Sequence, residues 1–93
     1  MNIFSVLPHY AGKWSVKNRR NFTQEEIAAV KSATVVDSQY GLSVCFIMHA
    51  GDQTFIPLSN TSELVTGDEV DLAKAELLTL EKSGEADIYR VNA

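Results

Sequence analysis

The sequence predicts a small, mainly β domain with one short helix in its N-terminal third. Three observations predict this class. Side chains alternate through a hairpin from Tyr40 to Ser59, a second alternating hairpin spans Leu77 to Val91, and a helix-capping motif begins at Thr23. The 93 residues are enough for a modest core that needs neither a disulfide nor a metal. We therefore expect one domain over residues 1–93.

The hairpin from Tyr40 to Ser59 carries the strongest strand signal. Every second side chain of its first strand is apolar: Leu42, Val44, Phe46 and Met48. This face is predicted to enter the core. Residues 50–53 form the turn, in which Gly51 is free to adopt a positive φ. In the returning strand, Thr54 to Leu58, Pro57 lacks an N–H, so the strand should end there or lie at a sheet edge.

The short helix is predicted by its start signal. Residues 23–26 read Thr-Gln-Glu-Glu, a capping box in which the Thr23 hydroxyl and the Glu26 carboxylate each bind the other's backbone N–H. Phe22 and Ile27 have the spacing of a hydrophobic staple. A helix near residues 24–31 follows, with Ile27 and Val30 facing inward.

The N-terminal segment is basic and the rest of the chain is acidic. Four cations and no acid lie in residues 1–22, whereas the remaining 71 residues hold 4 basic groups and all 12 acids. Alternation from Lys13 to Lys17 places Trp14 and Val16 on one face of a short strand. Residues 1–22 are therefore predicted to be a basic N-terminal arm or an edge strand. This segment is expected either to pair with the chain's own acids or to meet an anionic partner.

The segment after residue 60 is less regular. Residues 62–65 are predicted to form one helical turn, and residues 66–69 a Gly-Asp turn. Residues 73–82 have the composition of a helix, yet Leu78 and Leu80 alternate with polar neighbours as in a strand. We expect the second hairpin, 77–91, to form here, with the helix as the alternative.

The middle of the chain resembles a known class of barrel. Residues 55–59, Phe-Ile-Pro-Leu-Ser, followed by residues 66–70, Thr-Gly-Asp-Glu-Val, resemble the centre of S1-type RNA-binding domains. The resemblance covers roughly the last 60 residues and implies a five-stranded OB-like barrel. S1-like domains usually carry basic residues on the second and third strands, whereas no Lys or Arg lies between Lys31 and Lys74. An SH3-like barrel accommodates much of the same pattern.

The sequence predicts no enzyme, no metal site and no cofactor. Cys45 and His49 lie on the same strand face, but the strand rise separates them by about 13 Å, too far for a catalytic pair. Cys45 is expected to be a small buried hydrophobe. Asp68, Glu69 and Asp71 lack the spacing of a calcium loop and are expected to form a solvated acidic turn.

The leading functional hypothesis is a non-enzymatic interaction module that binds a protein partner or itself. Exposed strand edges are expected at Thr54–Leu58 and in the N-terminal segment, and the acidic region 63–87 is expected to accept the basic segment of another copy. The alternative is a single-stranded nucleic-acid-binding protein with an OB-like fold. Its candidate residues combine stacking aromatics with cations: Tyr10, Lys13, Trp14, Lys17, Arg19 and Arg20. Whether Trp14 and Phe22 lie in the core or at the surface stays open.

Three features predict a cytoplasmic location. Cys45 is the only cysteine, which suits a reducing compartment. The first ten residues lack the pattern of a signal peptide, and Pro8 interrupts their short apolar segment. No apolar run reaches the roughly 20 residues that a transmembrane helix needs. We therefore expect no membrane association.

Overall fold

A computed structural model describes residues 14–39, 41–82 and 87–93. Its elements, in chain order, are β1 (Ser15–Asn21), α1 (Gln24–Ala29), β2 (Val30–Ser38), β3 (Gly41–Met48), β4 (Gln53–Pro57), β5 (Glu76–Glu81) and β6 (Asp87–Asn92). The mainly β class with one short helix is confirmed.

The strands form two antiparallel sheets of three strands each. One sheet has the order β2-β3-β4 and the other the order β1-β5-β6. The sheets meet at a parallel bridge between Leu58 and Val91, where the Ser59 N–H donates to the Val91 carbonyl at 2.8 Å.

The predicted barrel is not closed by the strands that the structure describes, because the bridge at Leu58 does not extend along β4 and β6. In a parallel ladder, the rung that precedes the Ser59–Val91 bond would use the N–H of residue 57 as its donor. Pro57 has no N–H. The sequence prediction that β4 ends or forms an edge at Pro57 is confirmed, and it explains why the two sheets stay separate.

The first hairpin forms as predicted. Val44 pairs with Ile56 and Cys45 with Phe55, and Gly51 in the turn has a φ of +100°. Val44 and Ile56 are fully buried. Phe46, two residues after Val44 on the same face of β3, is fully buried as well. Leu42 and Met48 are partly buried at the margin of the same core. The alternation in the sequence thus identified the core face of β3 correctly.

The capping box at α1 is also confirmed. The Thr23 Oγ1 accepts from the Glu26 N–H at 3.1 Å, and the Glu26 carboxylate accepts from the Thr23 N–H at 2.9 Å. The helix ends at Ala29, two residues before the predicted end. Val30 is already extended and pairs with Met48, because the sheet ladder offers this β-branched residue a better backbone conformation than another helical turn.

Glu26 has a second role that the sequence did not predict, since it forms a two-point ion pair with Arg20. Arg20 Nη1 and Nη2 lie 2.8 and 2.9 Å from its carboxylate oxygens. These hydrogen bonds are the main cause that holds the pKa of Glu26 below its ordinary value of 4.5. Burial acts in the opposite direction, and the hydrogen bond from the Thr23 N–H lowers the pKa further.

This pair predicts how stability depends on pH. A folded-state pKa below the unfolded value means that Glu26 stabilises the fold above about pH 4.5, and that this contribution is lost as the pH falls through the folded pKa. Glu26→Gln is expected to cost about 1 kcal/mol near neutral pH and to weaken the acid dependence. Urea unfolding across a pH series measures both effects. Glu25→Gln, at an exposed position of the same turn, is the control, and an equal loss in both variants would contradict the prediction.

The second hairpin forms, and the strand interpretation of residues 73–82 is confirmed from Glu76 onwards. β5 pairs with β6 through partners such as Leu77 with Val91 and Leu80 with Ile88. Leu77 belongs to the main core, whereas Leu78, Leu80 and Ile88 form a second cluster on the opposite face of the sheet. Both faces of β5 are therefore apolar, which explains why its pattern did not alternate cleanly.

The helical turn predicted at residues 62–65 is wrong. This segment is irregular, and side chains bind its backbone donors. The Ser62 hydroxyl accepts from the Leu64 N–H at 3.3 Å, and the Asp68 carboxylate accepts from the Val65 N–H at 2.9 Å. Local side-chain acceptors of this kind compete with helical hydrogen bonds.

The main core lies between the two sheets. Phe22 is buried there, and its ring centroid lies 6.1 Å from that of Phe46 in a tilted arrangement. The open question about Phe22 is thus answered: it is a core residue, and Ile27 packs against the same cluster. No helix in the described ranges is long and apolar enough to cross a membrane.

Candidate interaction surfaces

Residues 15–21 of the predicted basic segment form strand β1, an outer strand of its sheet, and the cations of β1 are paired with the chain's own acids. Lys17 Nζ lies 3.3 Å from an Asp87 carboxylate oxygen, and Arg19 Nη2 lies 2.7 Å from Glu76. With the Arg20–Glu26 pair, three of the predicted nucleic-acid-binding cations have an internal carboxylate partner. Tyr10 and Lys13 lie outside the described residues.

These ion pairs bear on the predicted docking between copies. Asp87 and Glu76 belong to the acidic region that was expected to accept the basic segment of a second copy, and here they bind the same chain's β1. The hydrogen bond from Arg19 is the main cause that lowers the pKa of Glu76. Because the Arg19 and Lys17 side chains are well exposed, salt is expected to weaken both pairs.

The first candidate surface, which we call the hairpin face, consists of Ile47, Gln53, Phe55 and Cys45 on the outer side of β3 and β4. Ile47 and Phe55 are 40% and 44% exposed. Ile47 pairs with Gln53, and Cys45 pairs with Phe55, so the two exposed apolar side chains are diagonal neighbours on one face. The Gln53 amide donates to the buried Cys45 thiol at 3.1 Å, which fixes the polar side chain beside them.

The second candidate surface, which we call the Trp14 groove, crosses the outer face of the β1-β5-β6 sheet. Its volume is about 380 Å³, and its lining residues are Trp14, Val16, Ser59, Asn60, Thr61, Leu78, Leu80 and Arg90. Trp14 and Val16 both line it, in agreement with the predicted shared face. Val16 is 57% exposed, and Leu78 and Leu80 form the buried floor.

Trp14 occupies an intermediate position between core and surface. It packs against the second apolar cluster, yet the residue is only partly buried. Its indole N–H is buried and has no hydrogen-bond partner among the residues that the structure describes. The exposed fraction of Trp14 therefore lies on atoms other than the indole nitrogen.

Arg90 is the charged residue of the groove, and the sequence did not predict its role there. Its Nη1 donates to the Leu58 carbonyl and to the Asn60 side-chain oxygen, each at 3.1 Å, and so holds the loop that forms one wall. A signal was present, since Arg90 is the one cation within the alternating strand from Ile88 to Val91. Its role was hidden because the loop lies about 30 residues earlier in the chain.

The residues considered for catalytic or metal chemistry in the sequence include Cys45, His49, Asp68 and Asp71, all of which lie in the described ranges. Cys45 is a buried free cysteine, and His49 is exposed at the hairpin turn. No group of three or more potential metal-binding side chains occurs there. Asp68 and Asp71 instead accept backbone hydrogen bonds from Val65 and Ala73 within turns.

Comparison of the chain with models of protein families, with curated proteins and with solved structures gives no significant match.

Proposed function

We propose that this protein is a non-enzymatic interaction module that binds a protein partner or a second copy of itself through the hairpin face. The observation that carries the proposal is the pair of exposed apolar side chains, Ile47 and Phe55, which are diagonal neighbours on the outer face of β3 and β4. Large apolar and aromatic side chains at the centre of an interface contribute most of the binding energy in many complexes. The buried Val44 and Ile56 behind them hold the scaffold in place.

The charge pattern supports a protein partner at this face rather than a polyanion. No Lys or Arg lies between Lys31 and Lys74, so β3 and β4 have no cation to neutralise phosphates. The cations of β1 are held in ion pairs with carboxylates. An uncharged apolar patch also permits two identical faces to meet without repulsion, as a symmetric dimer requires.

The connectivity supports an OB-like assignment for the scaffold. The two sheets joined at Leu58 and Val91 give the continuous order β2-β3-β4-β6-β5-β1, and β1 and β2 lie on either side of α1 along one stretch of chain. We propose an OB-like barrel left open between β4 and β6 because of Pro57. A reducing compartment such as the cytoplasm suits its buried free thiol, Cys45.

Sedimentation velocity over a concentration series tests self-association. We expect the wild type to associate reversibly and both Phe55→Ser and Ile47→Ser to stay monomeric, because each removes an apolar anchor without opening the core. Val65→Ser is the matched control, since Val65 is 60% exposed elsewhere on the surface. Association that survives both hairpin variants would assign it to another surface.

A photo-crosslinking amino acid at position 55 tests binding to a different protein. Incorporated there, it is expected to give a discrete crosslinked product with a protein in native extract, and Ile47→Ser is expected to abolish that product. The same crosslinker at position 65 serves as the control. Two results together would contradict the proposal. The wild type would remain monomeric at about millimolar concentration, where even weak association is seen, and no crosslinked product would be specific to position 55.

A further inference from the structure

We propose that the occupant of the hairpin face is a second copy of this chain, placed face to face by a two-fold axis that runs parallel to the strands between β3 and β4. This inference rests on the proposed function, because it names the partner at the same surface and its arrangement there. The axis places Phe55 of each copy over Cys45 of the other, since these two residues are cross-strand partners.

The outer face of β3 and β4 carries no acidic or basic side chain. It consists of three cross-strand pairs: Ser43 with Pro57, Cys45 with Phe55, and Ile47 with Gln53. Thr34 and Val36 continue this face on β2 without a charge. The solvent face of an antiparallel sheet is usually polar, and 22% of the residues of this chain are charged. A partner that recognised the chain by its net charge of −4 would find no group to bind here, whereas a second uncharged face meets it without repulsion.

Glu69 marks the limit of the uncharged face and helps to place the axis. It forms an antiparallel bridge with Thr34, so its exposed side chain lies beyond β2 on the same side of the sheet. An axis between β3 and β4 carries β2 of each copy past β4 of the other and leaves Glu69 outside the contact. An axis along β2 would instead place this carboxylate over β3 of the second copy, at the cost of burying an unpaired charge.

The sizes of the side chains select the same axis. In the central pair, Cys45 is 7% exposed and Phe55 is 44% exposed, so a small buried side chain lies beside a large protruding one. Because cross-strand partners lie at the same height along the strands, the axis exchanges their positions, and each Phe55 fills the space above a Cys45. An axis across the strands through this pair would oppose Phe55 to Phe55 and leave a gap above both thiols, which well-packed interfaces avoid.

The size of the face predicts how strong the association is. Five residues of a strand span about 13 Å, and the outer two of three strands lie about 10 Å apart. The contact is therefore well below the roughly 800 Å² per partner of a standard stable complex. We expect a weak dimer that forms and dissociates reversibly with protein concentration.

Ile47 and Gln53 provide the test, because the axis places each of them over the other in the second copy. Fluorescently labelled Ile47→Glu protein is titrated with unlabelled Gln53→Lys protein and, as the matched control, with Gln53→Glu protein. Sedimentation velocity follows the labelled chain. We expect the Gln53→Lys protein to bind it about five- to tenfold more tightly, since the charges attract in one mixture and repel in the other. Equal binding by the two would overturn the arrangement.

Val65→Lys separates this local effect from that of net charge. Val65 is 60% exposed outside the hairpin face. The Val65→Lys protein is expected to bind the labelled Ile47→Glu protein more weakly than the Gln53→Lys protein does, because its added cation lies away from the contact. Equal binding by the two lysine variants would show a general charge effect and overturn the assigned contact.

A photo-crosslinking amino acid at position 55 locates the contact in the unmodified remainder of the face. In an equimolar mixture of isotopically light and heavy chains, a crosslink between copies joins peptides of different isotopes. Such crosslinks are expected at residues 43–47 of the second copy. Crosslinks between copies that map to position 55 itself, or only to β1, would overturn the axis.

These measurements distinguish failure of this inference from failure of the proposed function. A wild type that stays monomeric at about millimolar concentration overturns the second copy as occupant, while a position-55 crosslink to a different protein would still support the hairpin face as a binding surface. Association that Ile47→Ser and Phe55→Ser both abolish, with no preference for Gln53→Lys over Gln53→Glu, overturns the two-fold arrangement alone.

Discussion

Phe46→Ala is expected to lower the free energy of unfolding by about 3–5 kcal/mol, the usual cost of removing a fully buried aromatic side chain. Phe46 has no exposed surface and lies at the centre of β3, where its ring packs against that of Phe22. The substitution would remove both that contact and the filling of the space between the two sheets. Because small domains are stable by only about 5–15 kcal/mol, much of the chain would be unfolded at modest denaturant concentrations.

Phe55→Ala is the matched control for this measurement. The chemical change is the same and the residue lies on the neighbouring strand of the same hairpin, but Phe55 is 44% exposed on the opposite face. We expect it to cost about 1 kcal/mol or less. Urea unfolding monitored by far-ultraviolet circular dichroism compares the two variants. Equal losses in the free energy of unfolding would contradict the assignment of Phe46 to the core face and Phe55 to the outer face of the hairpin.

The hairpin could be predicted because its determinants are local. A strand has a side-chain period of two, so alternation from Leu42 to Met48 identifies the core face without knowledge of any distant partner. The same reasoning has a limit on the other face, where Ser43 and Cys45 are also buried. Periodicity does not predict what covers the second face of a strand. In the structure, the Ser43 hydroxyl lies 3.2 Å from the Ser38 hydroxyl on the neighbouring strand β2.

The capping box was predictable for the same reason, whereas most of the ion pairs were not. Arg20 and Glu26 lie 6 residues apart, but Arg19 and Glu76 lie 57 apart and Lys17 and Asp87 lie 70 apart. The charge split between the N-terminal segment and the rest of the chain was visible. Which acids the basic residues of β1 meet depends on the pairing of β1 with β5, and composition does not specify that contact.

In the Trp14 groove, too, some features are predictable from neighbouring residues and others depend on residues that are distant in the chain. Trp14 was recognised as a candidate from its neighbours in the sequence, and its shared face with Val16 followed from alternation. Its other walls come from β5, β6 and the loop after β4, so they appear only when the two ends of the chain are brought together. Residues 73–82 were ambiguous because β5 is apolar on both faces, a pattern that a strand and a buried helix share.

That double burial leads to the second large expected effect. Leu77→Ala and Leu78→Ala are each expected to lower the free energy of unfolding by about 2–5 kcal/mol. Consecutive residues of a strand point to opposite faces, and here Leu77 belongs to the main core while Leu78 belongs to the second cluster. A helix with one apolar face at these positions would make one substitution costly and its neighbour nearly neutral.

Trp14 fluorescence distinguishes the two faces in the native state. Trp14 packs against the cluster that contains Leu78, so Leu78→Ala is expected to shift its emission before unfolding begins, whereas Leu77→Ala is expected to leave the native emission unchanged. Val65→Ala, at a site 60% exposed, is the control and is expected to change stability by less than about 0.5 kcal/mol. If Leu78→Ala costs no more than this control, the second apolar cluster does not stabilise the fold, and the groove built on it loses its floor.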